Sequence, residues 1–119
     1  MIRVLIESPY AARPETVSHE DRVAEVESNV DYARRCMVDC LRRGEAPFAS
    51  HLLYPQVLDD LHPVQRRQGI EAGLAWGKHA DKTVVYTDRG ISPGMQLGID
   101  RAIHEDRPVE YRTLADAAK

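Results

Sequence analysis

Cysteine is scarce in this chain of 119 residues, which holds only Cys36 and Cys40. The two stand four apart within an expected helix, whose geometry keeps their Cα atoms from closing an unstrained disulfide. No second cysteine pair or histidine pair at zinc-like spacing accompanies them, so two core-facing thiols in a reducing compartment are expected, and no metal. An excess of basic charge is also missing. Lys and Arg number 16 against 19 Asp and Glu, a net charge of −3, which removes the electrostatic pull toward nucleic acid. Arg34, Arg35, Arg42 and Arg43 sit among acids and read as a solvated helix face. No apolar run approaches membrane-spanning length. The stretch Met1–Ile6 is too short for the apolar core of a signal peptide, so a cytoplasmic protein without membrane contact is expected. The G-x-G-x-x-G and P-loop fingerprints are absent, as is any Ser-His-Asp order with a nucleophile elbow. Neither a dinucleotide, ATP, a further cofactor nor a hydrolase triad is therefore implied.

The segments that are present alternate. Ile2–Glu7 is a β-branched, apolar run of the kind found in a strand buried on both faces, and Ser8-Pro9-Tyr10 ends it. Ser18 with Asp21 resembles a capping box. From there Val23, Val26, Val30, Ala33, Met37, Cys40 and Leu41 recur at steps of three and four, which predicts a helix over 20–43 ending at Gly44. A second strand is expected from Pro47, ending near His51. His62-Pro63 opens a second helix, with Val64, Ile70, Leu74 and Trp76 as its apolar contacts. Gly69, Gly73 and Gly77, four apart, permit close packing or close approach of a ligand, and packing is favoured. Thr83–Tyr86 is the clearest later strand. Ser92-Pro93 starts a third helix with a hydroxyl N-cap and proline at N1, its buried face made by Met95, Ile99, Ala102 and Ile103. Val109–Arg112 is the last strand. The order β-α-β-α-β-α-β implies one α/β domain over residues 1–119, with a mainly parallel sheet covered on both faces.

In such sheets ligands bind outside the carboxyl ends of the strands. That rule selects Glu7-Ser8-Pro9-Tyr10, Ser50-His51 and Thr87–Gly94. The third loop continues as Asp88-Arg89-Gly90-Ile91-Ser92-Pro93-Gly94-Met95. Its glycines and helix start offer free N–H groups to a phosphate or other anion, and Ser92 either binds that phosphate or only caps the helix. Glu7, at the end of a buried strand, is placed to act as acid, base or hydroxyl-binding group, or is held structurally by backbone donors or an arginine. His51 is the only histidine expected at a strand end and suits ribose or phosphate contact, or proton transfer. His62 reads as a helix-start residue, and His19, His79 and His104 as surface residues. Tyr10 is the best candidate to stack on a base, whereas Tyr86 and Trp76 read as packing.

A longer pattern links these pieces: Ile6-Glu7-Ser8-Pro9-Tyr10, Asn29 with Tyr32-Ala33-Arg34, Ala49-Ser50-His51, Arg66 with Gly69, Asp81, and Gly90–Met95. Over residues 2–112 the chain resembles small phage and bacterial proteins of the nucleoside 2-deoxyribosyltransferase-like superfamily, which includes nucleotide N-glycosidases. The resemblance implies a Rossmann-like three-layer sandwich with a four- or five-stranded parallel sheet, a homo-oligomer, and ligand contacts from Asn29 and Arg66. It also implies a glutamate nucleophile early in the helix after the third-strand loop, attacking C1′ of the sugar. The positions where that glutamate would fall hold Gln96 and Gly98, so Glu7 or Asp88 is left as the catalytic carboxylate, or the site binds without cleaving. Three functions follow. The first is a protein that binds, and sequesters or senses, a nucleotide- or nucleoside-derived small molecule. The second is an N-glycosidase or deoxyribosyltransferase. The third is an interaction module with a vestigial pocket.

Overall fold

A computed structural model describes residues 1–117, with α1 ending where Gly44 takes φ +78° to turn the chain. Strand β1 (Arg3–Glu7) is followed by α1 (His19–Arg42), β2 (Ala46–Phe48), α2 (Ser50–Leu53) with a 3₁₀ turn at Tyr54–Gln56, and α3 (Pro63–Gly77). Then come β3 (Lys82–Tyr86), α4 (Pro93–His104), β4 (Val109–Arg112) and α5 (Leu114–Ala117). The four strands form one all-parallel sheet in the order β2-β1-β3-β4. Parallel neighbours need crossover connections, and here the helices lie on both faces, giving a Rossmann-like three-layer sandwich. Leu5 pairs with Phe48 on one side and Thr83 on the other, and Glu7 pairs with Val85.

Strand alternation divides the core in two. Val4, Ile6, Val84 and Tyr86 pack against Tyr32, Cys36 and Cys40 of α1. On the opposite face Val85 packs with Met95 and Ile99 of α4. The cysteines are buried and unpaired, as expected, and burial pushes the Cys36 thiol up to about 12, which leaves it unreactive. Beneath α1, Arg112 makes a two-pronged contact with Glu45 at 2.7 and 2.6 Å, and Lys82 reaches Glu45 at 3.2 Å and Glu110 at 2.9 Å. Arg35 pairs with Asp31 one turn away on the exposed side of α1, as the solvated-face reading expected, whereas Arg43 pairs with the largely buried Asp39, which also accepts the Tyr86 hydroxyl at 2.6 Å.

Several expectations are corrected. The second strand lies at Ala46–Phe48, and His51, expected at its end, sits instead in α2. The buried stripe of α1 is Asn29, Tyr32, Ala33, Cys36 and Cys40, while Val23 and Leu41 are exposed. Helix α3 buries only Gly73 and Gly77; Val64 and Trp76 are each 60% exposed, and Ile103 of α4 is 63% exposed. The glycines explain the first of these. A Cβ on Gly73 would stand 2.6 Å from Ser50 Oγ, and one on Gly77 would stand 2.8 Å from Leu5 Cδ2. Helix α3 therefore docks through its backbone, and close packing is what its glycines provide. No fifth strand occurs among the described residues.

Candidate functional site

The strand order reverses between β1 and β3, because α1 leaves β1 on one face while α3 and α4 return on the other. Open α/β sheets bind ligands at this point, and a cavity of about 1060 Å³ occupies it. Leu5, Glu7 and Ser8 form its floor; the Tyr10–Glu15 loop, α1, α2, α3 and the start of α4 form its walls. Glu7, Ser8, Pro9, Tyr10, Asn29, His51, Arg66, Gly90, Ile91, Ser92, Gly94 and Met95, singled out from the sequence, all line it.

Asp88 does not. Its Oδ1 accepts the Tyr32 hydroxyl at 2.6 Å and the Leu114 N–H at 3.0 Å, and Oδ2 accepts the Ala115 N–H at 3.4 Å. Burial works against its charge, but these donors outweigh burial and hold the carboxyl below its ordinary value. Asp88 is thus committed to pinning the start of α5, and a carboxylate engaged in this way is not free to attack a ligand.

Glu7 is placed differently. It extends on the same face as Leu5, toward α4, and no hydrogen-bond partner reaches it among the described residues. Burial raises its carboxyl to about 8, against an opposing pull from Arg107, so at neutral pH Glu7 carries a proton. Gly98 makes this placement possible: a Cβ there would lie 2.7 Å from Glu7 Oε1 and closer still to Oε2. A test follows. Gly98→Ala, which raises helix propensity by about 1 kcal/mol, meets only the end of the Glu7 side chain, and displacing that carboxyl is expected to cancel much of the gain. In a Glu7→Ala background the same change is expected to give the full gain. Urea unfolding of the wild type and the three variants reads the difference, and equal effects in the two backgrounds would disprove the contact.

Next to Glu7, Ser8 is buried, and its Oγ lies 2.6 Å from Nε2 of His51. Burial lowers His51 to about 4, so the imidazole is neutral. Asn29 is buried in the wall, donating to the Tyr10 carbonyl at 2.9 Å and accepting from Arg89 Nη1 at 3.0 Å. Arg89 also covers the Tyr32 ring, 4.7 Å from its centroid. The sequence reading missed Arg89, whose only signal was its place between Asp88 and Gly90. Ser92 caps α4 by accepting the Met95 N–H at 3.2 Å, which leaves its hydroxyl proton free to donate. Burial, and then the Asp60 carboxylate, keep the Tyr10 phenol protonated. Among the described residues no three His, Cys, Asp or Glu side chains gather as a metal site, and no helix is long and apolar enough to cross a membrane.

No curated protein and no solved structure matches the chain. Residues 2–112, which include every strand and the whole cavity wall, match a domain of unknown function (DUF7768), and the chain belongs to that family.

Proposed function

We propose that the protein binds a nucleoside-like small molecule, a base joined to a sugar with or without phosphate, in the cavity at the β1–β3 switch point. The observation that carries this reading is Glu7, a protonated and unpartnered carboxyl on the cavity floor beside the Ser8–His51 pair. A neutral acid, a hydroxyl and a neutral imidazole suit the hydroxyls and ring nitrogens of such a ligand. Tyr10 offers a ring for stacking, and the start of α4 offers the Gly94 N–H and the Ser92 hydroxyl to a phosphate, with Arg89 and Arg66 nearby in the walls. The resemblance to the nucleoside 2-deoxyribosyltransferase-like superfamily points to the same ligand class.

Cleavage of the N-glycosidic bond is the second reading, and one observation favours it. The Glu7 carboxyl occupies space beside Gly98, one of the two positions where the superfamily's glutamate would fall. The carboxyl is thus delivered from β1 instead of from the helix.

The test is thermal melting with nucleosides, 5′-monophosphates and cyclic or ADP-ribose-type nucleotides, with chromatography of the recovered material. A true ligand at ~100 times its Kd is expected to stabilise the fold by roughly 2.7 kcal/mol, a rise in Tm of order 10 °C for a domain this size. Intact ligand would indicate binding alone, and free base would indicate cleavage. If no compound in the panel moved Tm, the binding reading would be wrong.

A further inference from the structure

We propose that Glu7 and the Ser8–His51 pair form a general acid and a general base on opposite sides of one bound N-glycoside, which water cleaves in a single displacement. This rests on the nucleoside-binding reading above. Ser8 follows Glu7 just past the end of β1, and the two side chains leave this point of the floor toward different elements. Ser8 meets His51 of α2, whereas Glu7 lies against the α4 backbone at Gly98. A ligand seated on that floor has the acid on its α4 side and the hydroxyl–imidazole pair on its α2 side.

The roles follow from what each group lacks. A carboxylate nucleophile must be ionised, and Glu7 has neither a cation in contact nor an N–H donor to hold its charge. The charge that opposes burial at Glu7 is Arg107, which donates to Thr83 at 2.9 Å and to Glu105 at 3.1 Å and leaves only Nη2 unpartnered. Glu7 is therefore built to give a proton. His51 has Ser8 as its partner and no acid beside it, so it is built to take one. Other charged groups facing the cavity are Arg13, Glu15, Glu25, Asp60, Arg66 and Arg89, on its walls. Paired groups whose surroundings push them in opposite senses divide the acid and base roles in this way.

The step balances. The oxygen of water bonds to the anomeric carbon as the bond from that carbon to the base nitrogen breaks, and the electron pair leaves with the nitrogen. Glu7 gives its proton to that nitrogen. The water's proton passes to Ser8 Oγ as the Ser8 proton passes to His51 Nε2. The products are a free base and a sugar of inverted anomeric configuration, and return of a proton from His51 to Glu7 through solvent resets the site.

The experiment follows base release from ribo- and deoxyribonucleoside 5′-monophosphates as a function of pH, with the anomer of the fresh sugar read by proton NMR. The expected result is a plateau between limbs near 4 and 8 with inversion at the anomeric carbon. Glu7→Gln is expected to lose about 10²–10⁴-fold in rate together with the alkaline limb. His51→Asn is expected to lose a similar factor with the acidic limb. Ser8→Ala, a smaller change than either, should follow His51→Asn and guards against misfolding of that variant; melts report folding of all three. Retained configuration, or full activity in both His51→Asn and Ser8→Ala, would overturn the proposal. So would a monophosphate that raises Tm yet is recovered intact, an outcome that leaves the binding reading standing. A wild-type Tm unmoved by any of the monophosphates would remove this proposal's substrate, and the wider ligand panel then decides the binding reading separately.

Discussion

Glu7→Gln is expected to make the protein more stable at pH 7 by about 3 kcal/mol, a rise in Tm of order 10 °C. The carboxyl titrates near 8 in the folded chain, raised by burial from an ordinary value of 4.5. Below 4.5 folded and unfolded chains both hold the proton, and glutamine changes little. Between 4.5 and 8 the unfolded chain releases a proton that the folded chain keeps, so wild-type stability falls as pH rises. Above 8 the penalty is complete and constant. Glutamine is neutral throughout and escapes it. Calorimetry of both proteins at pH 4, 7 and 9 checks this, with the gain growing from near zero to its full size. Equal Tm values at pH 9 would mean that the carboxylate has a partner. A gain in stability at the residue on which ligand contact is proposed has a physical cause, since an unpaired buried acid is retained at the expense of the fold.

Arg112→Met is expected to be the most damaging substitution away from the cavity, costing roughly 3–5 kcal/mol from a total that is about 5–15 kcal/mol for a domain. The Arg112 side chain is 5% exposed and that of Glu45 8%, so screening by solvent is slight. Removal of the guanidinium leaves the Glu45 carboxylate buried with only Lys82 at 3.2 Å. Glu45 carries the pH dependence of this cluster. The Arg112 contacts, helped by Lys82, hold its carboxyl near 2 against an ordinary 4.5. Its contribution is complete above 4.5 and is lost as pH falls toward 2. Urea unfolding at pH 7 and pH 3 is expected to show a larger Arg112→Met penalty at pH 7. A penalty under about 1 kcal/mol at pH 7 would show that the pair behaves like a surface ion pair.

The sequence carries strand and cap signals better than it carries the faces of its helices. Val4–Ile6 and Val84–Tyr86 are apolar because the sheet is covered on both sides, and Ser92-Pro93 marks the start of α4 by hydrogen bonding that is wholly local. Helix α3 is different. Apolar periodicity reports side chains, but α3 meets its neighbours through Gly73 and Gly77, so Val64 is left exposed and Trp76, though it keeps a ring contact with Phe48 at 6.3 Å, is mostly exposed too. In α1 the polar Asn29 and the large Tyr32 lie at the centre of the buried face because each has a distant polar partner, in Arg89 and Asp88. The rule of strand ends gathered the Glu7–Tyr10, Ser50-His51 and Arg89–Gly94 parts of the cavity lining from sequence alone and left most of the α1 and α3 walls unread. It failed for Asp88, whose direction is set by N–H groups 26 and 27 positions later. The Ser8–His51 contact, 43 residues apart, leaves no spacing signal.

Those same N–H groups of Leu114 and Ala115 lie just past residues 2–112, over which the chain matches its family. Asp88 stands immediately before Arg89 and Gly90, which turn the chain at φ +83° toward the cavity. The posture of this rim is therefore fastened from two sides, by the Tyr32 hydroxyl of α1 and by a latch of two N–H groups at the start of α5. A change at either fastening would reset the rim while the four strands stayed as they are.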